Sequence, residues 1–239
     1  MEPNDARLEQ IRQAEAYSHT TAYNRLKLFQ PGSWLSKPVK SVMDQLTHFQ
    51  SHESFRGLDL GCGVGRNCIP VLVAIPGIAK QMDCVDILPL AIDKLLENAA
   101  AHQVSDEING IVCPVDRYEI RENYYDLILA VSVLEHLDSI DSLRRKLKQI
   151  RGGLRVGGIA CMVINTSISE LDQATGGTAV PQFEINIPAL QMERILKETF
   201  SGLEILKNSV VHYQYDTWRE LGTVQLDTDV LTFVVRKRK

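Results

Sequence analysis

The apolar residues of this chain fall into short runs separated by segments of helical spacing, and from Phe55 onward the alternation is regular. "FRGLDL" predicts a first strand. Arg66 to Ile75 predicts a helix ended by Pro76-Gly77. Pro70 fits that helix only if it starts near Asn67 or kinks, because proline lacks the donor a helix interior needs. "QMDCVDI" predicts a second strand, and Pro89 to His102 a helix with Ile92, Leu95, Leu96 and Ala99 on one face. "INGIVCP" and "YDLILAVSV" predict strands three and four. A helix from about Ser142 to Arg151 follows, with Ser139 and Asp141 as cap candidates and Leu143, Leu147 and Ile150 as its buried stripe. "GGIACMVIN" predicts a fifth strand. Pro188 opens another helix, with Leu190, Ile195 and Leu196 inward. "LEILKNSVV" and "VLTFVVRKR" close the pattern as two strands with no helix between them.

Strands alternating with helices imply right-handed crossovers and an α/β fold with a doubly wound, mostly parallel sheet. The final helix-free pair implies a hairpin and an antiparallel last strand. Two regions stand outside this pattern. Residues 1–54 read as a helical N-terminal extension or lid, broken at "PGSWLSKP", in front of a main domain at 55–239. Residues 166–187 read as a long irregular link, and links of that length are often lids or binding loops.

Composition narrows the picture. A chain of 239 residues suffices for one large domain with a substantial core, and its apolar fraction of 44% is ordinary for a globular protein. The formal net charge of −4 argues against a general nucleic-acid binder. The basic runs "RRKLKQIRGGLR" (144–155) and "RKRK" (236–239) have no interleaved aromatics and read as a solvated helix face and a terminus. The five cysteines show no CxxC pair and read as buried thiols in a reducing compartment. No apolar run is long enough to span a membrane, and "MEPNDARLEQ" is unlike a signal peptide. A cytoplasmic location is the expectation; the oligomeric state stays open.

The chemistry concentrates in "GLDLGCGVGRN", Gly57 to Asn67. Glycines at 61, 63 and 65 after a strand let a ligand approach the backbone at the carboxyl edge of the sheet, where open α/β sheets bind their ligands. Dinucleotide turns read GxGxxG and hold a pyrophosphate. Here the spacing differs, and Asp59 immediately precedes the turn. A carboxylate ~5 Å from a phosphate charge would repel it by roughly 3 kcal/mol at an effective dielectric near 20. It would attract an ammonium, which favours S-adenosylmethionine over a dinucleotide. Asp86 follows Gly65 by 21 residues, at the end of the second strand, where an acid can bind both hydroxyls of a ribose.

These residues resemble the class I S-adenosylmethionine-dependent methyltransferases. "LDLGCGVGRN", "VDI" (85–87), "YDLILAVSVLEHL" and "LRVGGIACMVI" are similar to that family's motifs, from about Phe55 to Asn165. The closing hairpin suits the family's seven-stranded sheet. The resemblance implies that Asp59 and the backbone of Gly61, Cys62 and Gly63 hold the methionine end, with the Cys62 backbone mattering more than its sulfur. It implies that Asp86 binds the ribose, Ile87 packs on the adenine, Asp116 lies near the adenine amino group beside Arg117, and Val131 lies near the cofactor. "GCGVGRN" and "PQFEINIPALQMERIL" are similar to tellurite-resistance-type methyltransferases, which act on small acceptors. "LEH" (134–136) resembles quinone-biosynthesis-type methyltransferases, some of which use a metal. Their extra acid before that triplet is Ser132 here, so no metal is expected. No Pro-Pro-aromatic motif follows the fourth strand, which disfavours methylation of DNA bases.

The expected function is methyl transfer from S-adenosylmethionine to a small-molecule acceptor by in-line displacement. The protein's task would be to place the nucleophile and exclude water. His136 is the candidate general base, Glu135 is a second ambiguous group, and Tyr17, Tyr23 and Trp34 are candidates for an acceptor pocket. The competing readings are an NAD-dependent oxidoreductase, an RNA or protein methyltransferase, and a non-catalytic cofactor-binding partner protein.

Overall fold

The structure is a computed structural model that describes residues 3–75, 79–219 and 222–238. One mixed sheet organises it. Strands β1 (Ser54–Leu60), β2 (Ala79–Asp86), β3 (Ile108–Val112), β4 (Tyr125–Val131) and β5 (Leu154–Asp172) pair in parallel in the order β3-β2-β1-β4-β5. A two-residue strand, β6 (Thr178–Ala179), pairs antiparallel to the far end of β5. The last two strands, β7 (Glu204–Arg219) and β8 (Gly222–Arg236), form the expected hairpin, and β8 inserts antiparallel between β5 and β7. The order reverses between β1 and β4, so the switch point lies beyond the carboxyl ends of those two strands.

Every residue of β4 is buried, as a central parallel strand covered on both faces requires. Its alternation sorts the core into two layers. Ile128 and Ala130 pack with helices α5 (Ile140–Gly153) and α6 (Ala189–Thr199), while Leu127, Leu129 and Val131 pack with α3 (Cys68–Ala74) and α4 (Pro89–Ala101). In α5, Leu143, Leu147 and Ile150 are fully buried, and the Ser139 hydroxyl caps the helix by accepting from the Ser142 amide at 3.2 Å.

Several expectations need correction. Helix α3 begins at Cys68, which puts Pro70 in the first turn, where no intrahelical donor is missed. The expected stop at Pro76-Gly77 lies outside the described residues. Leu96 and Leu190 are exposed, and Met192 takes the inward place beside Ile195 and Leu196. Part of the segment expected to be an irregular link is strand. After an irregularity between Thr166 and Ser169, β5 continues to Asp172, pairing with β8 across Ser169–Asp227 to Asp172–Val224. The patterning missed it because Ser169 and Glu170 interrupt the apolar run.

The N-terminal segment is a 23-residue helix, α1 (Pro3–Arg25), followed by a loop and the four-residue α2 (Lys40–Met43). Tyr23 and Leu35 anchor it against Val64 of the glycine turn and Ala91 of α4. Beyond Ile11, which is also buried, Arg12, Glu15 and His19 of α1 face the site. No described helix is long and apolar enough to cross a membrane.

Candidate functional site

The glycine turn leaves β1 with Gly61, Gly63 and Gly65 at φ +69°, +52° and +96°, the left-handed region where a side chain is strained. A Cβ on Gly61 would lie 2.6 Å from the Val133 side chain, so the turn after β1 and the turn after β4 approach as closely as glycine allows. The turn is tied to β2. The Gly61 and Cys62 amides donate to the Val85 carbonyl at 2.8 and 3.0 Å. The Asp86 carboxylate accepts from the Gly63 amide on one oxygen and from the Leu88 amide on the other, each at 2.9 Å. Burial raises the Asp86 pKa, and these two amides oppose the rise.

Two cavities open over this turn. The first, about 230 Å³, holds Asp86, Ile87, Asp116 and Arg117 in its wall. The second, about 890 Å³ and open to solvent, holds Cys62, Gly63, Val131 and, from the candidate aromatics, Tyr23 and Trp34. Glu15, His19 and Tyr23 of α1 and Gly61, Ser132 and His136 border both, which marks where the cavities meet. Of the residues picked out from the sequence as cofactor-binding or catalytic, all but Asp59 are therefore in one wall or the other. Tyr17 is exposed and borders neither.

Asp59 is the exception. It is 1% exposed, both carboxylate oxygens lack a hydrogen-bond partner, and it borders neither cavity. The reason is strand alternation. Leu58 and Leu60 face the α5/α6 layer, while Asp59 shares the opposite face with Phe55, under the turn and near Cys68. Burial drives its pKa up to about 7, against the lowering influence of Arg66. The placement of Asp59 at the mouth of the turn is thus corrected: its carboxylate is buried beneath the turn, without a hydrogen-bond partner among the described residues. Cys62 keeps the role given to its backbone, and burial raises its thiol to about 12, which leaves it un-ionised at neutral pH.

His136 sits in the single helical turn Leu134–His136 that follows β4. Its Nδ1 lies 2.9 Å from Glu184 Oε2, and its ring stacks on Phe183 at 5.1 Å between centroids. Burial would lower its pKa. The Glu184 hydrogen bond and the Glu15 and Glu135 carboxylates outweigh burial and raise it to about 9. At neutral pH the resting group is an imidazolium, so His136 cannot accept a proton in the simple way expected of it. Glu135 is fully buried, and its Oε1 accepts from the backbone and side-chain nitrogens of Asn165 at 3.0 and 2.6 Å. That carboxylate joins the end of β4 to β5.

The sequence reading missed Arg12, Glu15 and His19 of α1, which border the first cavity together with Tyr23. Their spacing of three, four and four residues places them on one helical face, and that polar stripe was the available signal. Glu15 is held to about pKa 2. Burial raises it, but the His19 hydrogen bond and the His136, His19 and Arg219 charges prevail. Glu184 and Arg219 carried no recognisable signal, since each becomes a site residue only through long-range folding.

Comparison with known proteins agrees with this geometry. Residues 58–160 match the family model of a methyltransferase domain. No curated protein matches the chain in sequence. Among solved structures it is similar to TehB from Haemophilus influenzae, at 20% identity and a TM-score of 0.59, with 84% of this chain covered. The chain spans 62% of TehB's length. It is similar to the N-methyltransferase NodS from Bradyrhizobium japonicum, solved with S-adenosyl-L-homocysteine, at 19% identity and a TM-score of 0.54, covering 93% of this chain and all of that one. It is also similar to the [4+2]-cyclase SpnF, at 15% identity and a TM-score of 0.55, covering 83% and 81% of the two chains. Residues 58–160 match a methyltransferase-domain model, and the chain that carries them has the fold of the class I S-adenosylmethionine-dependent methyltransferases.

Proposed function

We propose that the protein transfers a methyl group from S-adenosylmethionine to a small-molecule acceptor by in-line displacement. The observation that carries this reading is the meeting of two cavities at Gly61, Ser132 and His136, over the switch point of the sheet. The residues present fit the cofactor. Asp86 has lone pairs left on both oxygens after accepting from Gly63 and Leu88, which suits a ribose diol. Ile87, about half exposed, offers an apolar surface to an adenine, and Asp116 can accept from its amino group. The backbone of Gly61, Cys62 and Gly63 offers polar groups to the methionine end. When bound, the cofactor supplies a methyl group on a sulfonium, already activated for displacement.

The chain's own residues then hold the acceptor at the junction and keep water out. Helix α1 covers that junction from one side, and Phe183, Tyr215 and Arg219 wall the second cavity from the other. The net charge of −4 favours a small acceptor over RNA. We place the enzyme in the cytoplasm on its cysteine usage.

Calorimetric titration with S-adenosylhomocysteine and NAD tests the reading. S-adenosylhomocysteine is expected to bind, Asp86→Ala to weaken it at least about tenfold, and NAD not to bind. Tight NAD binding with no response to S-adenosylhomocysteine overturns it.

A further inference from the structure

His136 borders both cavities where they meet. His136 Nδ1 is taken by Glu184, whose side chain is 2% exposed, and the ring is fixed against Phe183. Its other nitrogen, Nε2, has no hydrogen-bond partner among the described residues. The surrounding carboxylates are committed elsewhere. On α1, Glu15 pairs with Arg219 of β7 at 3.1 Å and with His19 at 3.2 Å. Glu184 also takes Arg12 at 3.9 Å, and Arg12 pairs with Asp138. Glu135 binds Asn165 through Oε1 and is sealed from solvent, with Oε2 left unpartnered among the described residues.

We infer that the acceptor is a compound with an acidic O–H or S–H group, such as a phenol or a thiol, bound as its anion against Nε2–H of His136, with Glu184 as the positioning residue. This rests on the methyl-transfer reading above. The buried Glu184 carboxylate accepts from Nδ1–H and stabilises the imidazolium, and only in that cation does Nε2 also carry a proton. An ammonium would meet that N–H with no lone pair to offer it. An anion meets both a donor and a charge. The raised pKa of His136 agrees, since its proton is already in place at neutral pH.

The chemistry balances without a further base. The acidic acceptor releases its proton to solvent water before it pairs with the imidazolium. A lone pair of the anion forms the new bond to the methyl carbon, and the carbon–sulfur bond gives its electron pair to sulfur. No proton leaves at that step, and the methylated product is neutral. It loses the ion pair and with it part of its hold on the site.

The probe is 4-nitrophenol, whose anion is coloured, added to the protein saturated with S-adenosylhomocysteine. The bound probe is expected to ionise about one pH unit or more below the free compound. Glu184→Gln and His136→Asn should each abolish that shift when measured at concentrations of S-adenosylhomocysteine that saturate the variant. NMR titration of His136 should show its pKa falling in Glu184→Gln, which a merely structural role for Glu184 would not produce. In a labelled-methyl screen, phenols and thiols should be turned over faster than benzylamine. A probe that fails to bind, or titrates as it does free in solution, overturns the inference, as does preferential methylation of the amine. If S-adenosylhomocysteine itself does not bind, the methyl-transfer reading fails instead, and calorimetry separates the two.

Discussion

Arg219 and Glu170 meet in a two-point ion pair that joins the tip of β7 to the extension of β5, Nη2 to Oε1 at 2.6 Å and Nε to Oε2 at 3.3 Å. The third guanidinium nitrogen reaches Glu15 of α1 at 3.1 Å. One side chain thus fastens the N-terminal helix to the hairpin across the second cavity. Both partners are largely buried, at 9% and 1% exposure. Removing one member of such a pair strands the other, at a cost of about 3–5 kcal/mol. Arg219→Ala should therefore lower the melting temperature clearly, whereas Arg219→Met with Glu170→Leu should recover most of the loss. Differential scanning calorimetry of the three proteins checks this, and equal melting points for the two variants would refute it.

His136 links stability to pH. Its folded pKa of about 9 lies above the unfolded value of about 6.5. The stabilisation is fully present below about pH 6.5 and is lost as pH rises through 9. Denaturant unfolding between those limits should show a decline in stability that His136→Asn flattens. An identical slope in wild type and variant would sink the assignment.

Asp59 should act with the opposite consequence for mutation. A carboxylate whose folded pKa is raised from 3.8 to about 7 favours the folded state as it protonates, and its ionised form penalises folding above about pH 7. Asp59→Asn should raise the melting temperature of the ligand-free protein at pH 8 and change it little near pH 4. If the variant instead melts lower at pH 8, the ionised carboxylate has a stabilising role that its unpartnered oxygens do not reveal.

Gly61 tests the closeness of the two turns. Alanine there combines φ +69° with a Cβ 2.6 Å from Val133. A cost of about 1–3 kcal/mol is expected, with S-adenosylhomocysteine affinity falling as the turn shifts. Adding Val133→Ala should relieve the clash but leave the backbone strain, so recovery should be partial. Full binding in Gly61→Ala alone would show that the turn tolerates movement.

Much of this was legible in the chain. Strands β1, β2 and β4 and helices α4 and α5 are long apolar patterns of clean period, and their core residues follow from that period. Asp86 was found because strand end and spacing act together. The role of Asp59 could have been corrected by counting residues along β1, since it alternates with Leu58 and Leu60. The docking of α1 was not legible from hydrophobicity, because its inward face carries Arg12, Glu15 and His19. Nor was the meeting of Glu184 with His136, which depends on where the segment after β6 returns over β4.

The polar underside of α1 has one more consequence. Apart from Ile11 and Tyr23, the face that α1 turns to the site is held by polar and charged groups. Dissolved salt weakens the exposed pair of Arg12 with Asp138 far more than the buried pairs of Arg219. Traffic in and out of the site should then respond to ionic strength at concentrations that leave the rest of the molecule undisturbed, a difference that deuterium uptake along residues 3–25 would register.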